Sequence, residues 1–157
     1  MIGYYNYTVI LTYISLVSAI IGMFFALGVG CTDINTEYAV VCLMISGLCD
    51  MFDGKIARTK KNRTDCEKQF GIQIDSLCDL VCFGVLPVVI GYSVGMNQVY
   101  DIPVIAIFVL CAIIRLAYFN VAEEDRQKKT ECVRKTYEGL PVTSVALIIP
   151  IIYSFHK

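Results

Sequence analysis

Charge is scarce in this chain and unevenly spread. Only 17% of its 157 residues are charged, no charged side chain precedes Asp33, and histidine occurs once, at His156. A soluble globular domain is typically about 25% charged and about 45–50% apolar, whereas 57% of this chain is hydrophobic. That excludes intrinsic disorder, which needs abundant charge and few apolar residues. With 11 Gly and 4 Pro the chain is neither collagen-like nor of low complexity. A lone histidine argues against the usual zinc sites. No P-loop, GxGxxG or Ser–His–Asp arrangement is present. The basic stretches lack interleaved aromatics, so no nucleic-acid partner is expected. The eight cysteines form no CxxC pair, and five of them fall inside apolar segments. They read as free thiols acting as small buried hydrophobes, with no disulfide.

What the chain has is long apolar runs, and a mean hydropathy of +0.65. A bilayer core about 30 Å thick needs roughly 20 apolar residues in a helix, and residues 1–32 are uncharged throughout. This stretch lacks the basic start and short apolar core of a cleaved signal, so it is read as a retained span. Gaps between charges define five apolar segments: Tyr7–Val29, Tyr38–Phe52, Gly71–Gly95, Ile102–Val121 and Pro141–Phe155. The expected fold is all-α, a polytopic transmembrane helix bundle forming a single domain over 1–157. Gly22, Gly28 and Gly47 suit close helix–helix approach in lipid. Five spans leave the last without a hairpin partner, and a further helix beyond the present C-terminus is expected.

Of 13 Lys and Arg, six lie between the second and third segments (Lys55, Arg58, Lys60, Lys61, Arg63, Lys68) and five between the fourth and fifth (Arg126, Lys128, Lys129, Arg134, Lys135). The other two connections have none. The positive-inside rule places both basic loops, and by alternation the N-terminus, in the cytoplasm. The basic loops satisfy that rule and also offer attraction for anionic lipid.

Four aspartates interrupt this pattern. Asp50 and Asp53 are spaced i, i+3, and Asp75 and Asp79 i, i+4, so each pair shares a helical face. Carboxylates in apolar segments cost about 2.5–3.5 kcal/mol each near a bilayer centre. Both pairs flank the basic loop of residues 54–70, so two facing helices would bring four carboxylates together. Such a group needs a cation between its members, and oxygen-only ligands select hard ions such as Mg²⁺, Mn²⁺ or Ca²⁺. Two such metals suit phosphoryl-type chemistry. Small residues line the same stripes: Asp50, Gly54 and Ala57 on one helix, and Gly71, Asp75 and Asp79 on the next. They leave room for a ligand. A cation transporter also uses intramembrane carboxylates, and a structural ion pair with Lys55, Arg58 or Arg115 is the plainest alternative.

The run Asp50-Met-Phe-Asp53-Gly54-Lys-Ile-Ala57-Arg58, followed by Gly71-Ile-Gln-Ile-Asp75-Ser-Leu-Cys-Asp79, resembles the CDP-alcohol phosphatidyltransferase signature DxxDGxxAR…GxxxDxxxD. Every signature position is filled, with a 12-residue spacer between Arg58 and Gly71 that is longer than usual. Asp75-Ser-Leu-Cys-Asp79-Leu-Val-Cys-Phe83-Gly84-Val-Leu-Pro87, Arg115-Leu-Ala-Tyr-Phe-Asn120 and Gly139-Leu-Pro141-Val-Thr143 are similar to the phosphatidylserine synthase branch. The first segment departs from the family pattern, with Thr8, Thr12 and Ser15 where many members carry Pro-Asn and a second Asn.

The resemblance implies metal-dependent transfer of a phosphatidyl group from CDP-diacylglycerol to the hydroxyl of L-serine, releasing CMP. It implies Asp50, Asp53, Asp75 and Asp79 as ligands of a two-metal Mg²⁺ or Mn²⁺ site, and Asp79 as the general base. Gly54, Ala57, Arg58 and Gly71 would receive CDP-diacylglycerol. Arg115, Asn120 and Thr143 are the candidates for the acceptor side. Glycerol 3-phosphate or an inositol phosphate are alternative acceptors, but a dianionic phosphate would want several inward cations, and Arg115 is the only one inside the fourth segment. Glu123, Glu124 and Asp125 read as a solvated loop edge. The resemblance also implies a six-helix membrane domain working at the cytoplasmic face, as a possible homodimer.

Overall fold

The computed structural model describes residues 9–29, 35–57, 64–129 and 140–156, and among them every regular element is a helix. The elements are α1 (Ile10–Leu27), α2 (Thr36–Ala57), α3 (Asp65–Asp79), a π-turn (Leu80–Val85), α4 (Leu86–Val94), α5 (Ile102–Lys129) and α6 (Val145–His156). Because α3, the π-turn and α4 run on without a break, they make one rod, and the five apolar segments fall on five rods of alternating direction. Contacts fix that alternation. Asp50 of α2 meets Asp75 and Asp79 at one end of the bundle, and the Thr36 and Ser93 hydroxyls lie 3.1 Å apart at the other.

Among the described residues, three stretches are long and apolar enough to cross a membrane: Ile10–Leu27, Cys66–Val94 and Val99–Glu124. α2 falls short of that standard for a chemical reason, since every 18-residue stretch of it holds Asp50, Asp53 and either Glu37 or Lys55. α6 falls short by length.

Helix boundaries depart from the apolar segments where local chemistry extends the helix. α3 begins at Asp65, six residues before the apolar run starts at Gly71, because Thr64 and Glu67 form a reciprocal capping box. α5 likewise continues to Lys129, since the residues that follow Val121 are mostly good helix formers. Glu123, Glu124 and Asp125 therefore sit on a helix rather than in a loop, which corrects the sequence expectation.

Small residues bring α1 and α2 together. A Cβ on Gly22 would lie 2.9 Å from Cys42 Cβ, and one on Gly47 would lie 2.6 Å from Ala146 Cβ on α6. Gly28, expected to serve packing too, instead ends α1: its φ of 68° turns the chain so that the Val29 N–H donates back to the Phe24 carbonyl at 3.1 Å. The core gathers Ala19, Leu43, Cys82, Phe83, Leu86 and Ala146 from α1, α2, the α3–α4 rod and α6. Away from the carboxylates, an apolar cavity of about 280 Å³ remains between α4, α5 and α6. Of the described cysteines, Cys42, Cys78 and Cys82 are buried as small hydrophobes, whereas Cys49 is half-buried and Cys66 and Cys111 are exposed, against the expectation.

Pro87 explains the π-turn. A proline inside a helix has no N–H to donate and its ring presses on the carbonyl four residues back. The chain answers by widening just before it, and the Leu86 N–H donates to the Val81 carbonyl, five residues away.

Candidate functional site

The last turns of α2 and the second half of α3 face each other, and their carboxylates meet there. Ligand oxygens of Asp50, Asp75 and Asp79 lie within 4.8 Å of one another. Helical spacing creates this: the i, i+4 pair on α3 presents two carboxylates on one face, and the antiparallel α2 brings Asp50 against them. Asp53, the fourth carboxylate of the signature, stands beside that trio and is buried, at 7% exposure. Its Oδ2 accepts a hydrogen bond from the Thr12 hydroxyl of α1 at 3.4 Å, and its carboxyl is within hydrogen-bond reach of Asp75. Asp50 and Asp79 are within the same reach of each other.

Three carboxylates this close repel unless positive charge lies between them. The donor set is oxygen-only, half-buried and convergent, which fits a hard divalent cation such as Mg²⁺ or Mn²⁺. The π-turn follows Asp79 directly, a position at which such turns recur in functional sites.

Gly54 and Ala57 lie in the last part of α2 beyond Asp50, and Arg58 lies outside the described residues. A side chain built on Gly71 would meet nothing within 4 Å, so open space lies one turn from Asp75.

Residues from α5 and the turn before α6 close the same end of the bundle. The Ser76 hydroxyl is 2.9 Å from Asn120 Oδ1 and donates to it or to the Ile72 carbonyl, which ties α5 to α3 next to Asp75. Arg115 Nε donates to the Leu140 carbonyl at 3.2 Å, and its guanidinium carbon lies 4.4 Å from the centre of the Phe119 ring. Thr143 sits half-buried in the 3₁₀ turn Val142–Ser144. Arg115 thereby links α5 to the Leu140–Pro141 segment.

Sequence reasoning assigned no role to the first helix, and here the structure adds residues. Thr12, Ser15 and Ser18 recur every three residues along α1 and all face α2. Ser15 and Ser46 exchange hydrogen bonds, each hydroxyl donating to the other's carbonyl, at 3.3 Å and 3.0 Å. Ser18 donates to the Cys42 carbonyl at 3.2 Å. The Cys82 sulfur lies 3.4 Å from Ser15 Oγ, within hydrogen-bond distance. The hydroxyl spacing was available in the sequence, but the partner helix was not.

Comparison with known proteins gives the family. The family model described as CDP-alcohol phosphatidyltransferase matches residues 5–156. The CDP-diacylglycerol–serine O-phosphatidyltransferase of Saccharomyces cerevisiae is 38% identical over 117 residues, which are 73% of this chain and 41% of that protein. The archaetidylserine synthase of Methanothermobacter thermautotrophicus is 35% identical over 122 residues, 77% of this chain and 48% of that one. The CDP-diacylglycerol–serine O-phosphatidyltransferase of Helicobacter pylori is 32% identical over 117 residues, 72% and 45% respectively. The chain thus spans less than half the length of these relatives. No solved structure matches it significantly. With every signature position filled and the family model running almost end to end, this chain belongs to the CDP-alcohol phosphatidyltransferase family.

Proposed function

We propose that this chain transfers a phosphatidyl group from CDP-diacylglycerol to the hydroxyl of L-serine and releases CMP. The observation that carries the reading is the convergence of Asp50, Asp75 and Asp79 at one end of a membrane bundle. The names of relatives that act on CDP-diacylglycerol and serine support the choice of substrates.

Asp50, Asp75 and Asp79, with Asp53 beside them, would hold the divalent metal, and a two-metal site is part of the proposal. When bound, the metal offsets the clustered carboxylates and stabilises charge on the phosphoryl oxygens. Asp79 acts as general base and accepts the proton of the serine hydroxyl. The hydroxyl oxygen forms its bond to the diacylglycerol-linked phosphorus as the bond from that phosphorus to the CMP oxygen breaks. CMP leaves as the anion. A carboxylate with an ordinary pKa of about 3.9 is a weak base, so positioning of the two reactants does most of the work.

Gly54, Ala57, Arg58 and Gly71 would receive the cytidine nucleotide, a role supported by the open space at Gly71. Arg115, Asn120 and Thr143 form the acceptor side. As the single cation inside the fourth apolar segment, Arg115 suits the carboxylate of a zwitterionic amino acid better than a dianionic phosphate. By the distribution of Lys and Arg, the carboxylate end faces the cytoplasm.

The test is CMP release by the purified chain in detergent with CDP-diacylglycerol and Mg²⁺ or Mn²⁺, run with serine, with glycerol 3-phosphate and with no acceptor. Serine-dependent release, abolished by chelator and restored by metal, is expected. Release stimulated only by glycerol 3-phosphate would keep the chemistry and overturn the acceptor. A folded, metal-binding chain that releases no CMP with any acceptor would overturn the activity.

A further inference from the structure

The four carboxylates are not held alike. Asp50, Asp75 and Asp79 converge on one another, whereas Asp53 is additionally gripped from a third helix through Thr12. Thr12 is itself buried, at 4% exposure, in the part of α1 that faces α2. Its neighbours on that face, Ser15 and Ser18, donate to the Ser46 and Cys42 carbonyls of α2, and the Ser46 hydroxyl donates back to the Ser15 carbonyl. Gly22 then lets the two backbones close together. In lipid, where apolar surface gives little drive for helix pairing, such hydroxyls and small residues set which residue of one helix meets which of the other. The register they set is the one that puts Thr12 against Asp53.

Resting on the metal-site reading above, we propose that Thr12 is a positioning residue for Asp53. Its hydroxyl occupies Oδ2 of that carboxylate and fixes the rotamer, so that Asp53 is presented to the metal beside Asp75. Groups that orient a ligating carboxylate typically change metal affinity 10–100-fold when removed. A methyl in place of the hydroxyl keeps the volume and deletes the donor, which isolates the hydrogen bond from packing.

The experiment is Mn²⁺ titration of the purified full chain in detergent, followed by electron paramagnetic resonance of free Mn²⁺, for wild type, Thr12→Val, Thr12→Ser and Ser15→Ala. Thr12→Val is expected to weaken Mn²⁺ binding about 10–100-fold, and Thr12→Ser to stay within about threefold of wild type because it keeps the donor. Ser15→Ala removes a neighbouring rung without touching Asp53 and is expected to lower thermal stability while leaving Mn²⁺ affinity within about threefold. Native affinity in Thr12→Val, equal losses in Thr12→Ser and Thr12→Val, or an equal loss in Ser15→Ala would each overturn the positioning role while the metal site stands. A folded wild-type chain that binds no Mn²⁺ would overturn the metal-site reading itself, and this role with it. If Thr12→Val fails to fold, Thr12→Ala deletes the same donor and is expected to show the same loss of about 10–100-fold, and native affinity there would overturn the positioning role.

Discussion

α5 and the α3–α4 rod are both long and apolar enough to cross a membrane, yet they are used in opposite ways. α5 is the more apolar, and almost none of its spanning stretch is buried inside the molecule. Ile107, Ile114 and Val121 lie more than half exposed along it, and a cavity separates its first half from α4 and α6. The α3–α4 rod carries two aspartates within its spanning stretch Cys66–Val94, is less apolar, and is the most buried of these spans. Hydropathy therefore reports fitness for lipid, not packing. Packing follows small and polar side chains, which allow close approach and offer hydrogen bonds across the seam. The site lies where such residues are dense.

The contrast can be broken by mutation. The largest effect is expected from the buried rod: Asp79→Asn should lower the rate of serine-dependent CMP release by about 10²–10⁴-fold, as for loss of a general base, with the fold retained by size-exclusion chromatography. Phe83→Ala, within the π-turn and wholly buried, should destabilise by about 3–5 kcal/mol. The readout is the temperature at which a thiol-reactive dye reaches the buried Cys78 and Cys82 above the baseline from exposed Cys66 and Cys111. Gly47→Ala should cost about 1–3 kcal/mol by overpacking against Ala146, and the added change Ala146→Gly should return much of it. On α5, Ile107→Ala should stay within about 0.5 kcal/mol of wild type. A loss there as large as that of Phe83→Ala would mean that the exposed face of α5 is covered by a partner.

Much of this was legible in the sequence, because it rests on local spacing. The five rods follow from gaps between charges, and the paired aspartates follow from i, i+3 and i, i+4 positions on helices. The start of α3 at Asp65 was also written in Thr64 and Glu67, but a capping box marks where a helix begins and an apolar run marks only where a membrane does. What could not be read is register between rods. The partner of Arg115 is a carbonyl 25 residues away, and no periodicity announces it. The grip of Thr12 on Asp53 spans 41 residues and depends on how α1 and α2 slide against each other. Gly28 misled for a related reason: a glycine that permits close packing and one that ends a helix look the same in one dimension.

The π-turn after Asp79 has a geometric consequence for the whole rod. Each residue in a wide turn advances less about the axis than in an α-helix, so across Leu80–Val85 the angular phase falls behind by roughly one residue position. The half that bears Asp75 and Asp79 and the half that bears Leu86 and Ile90 are thus two helices joined out of step. That offset lets α1 contact both halves, one through the carboxylate end and one through an apolar seam, without a loop between them. Deleting a single residue between Leu80 and Val85 would bring the halves into step and turn one of those two faces away from its neighbours.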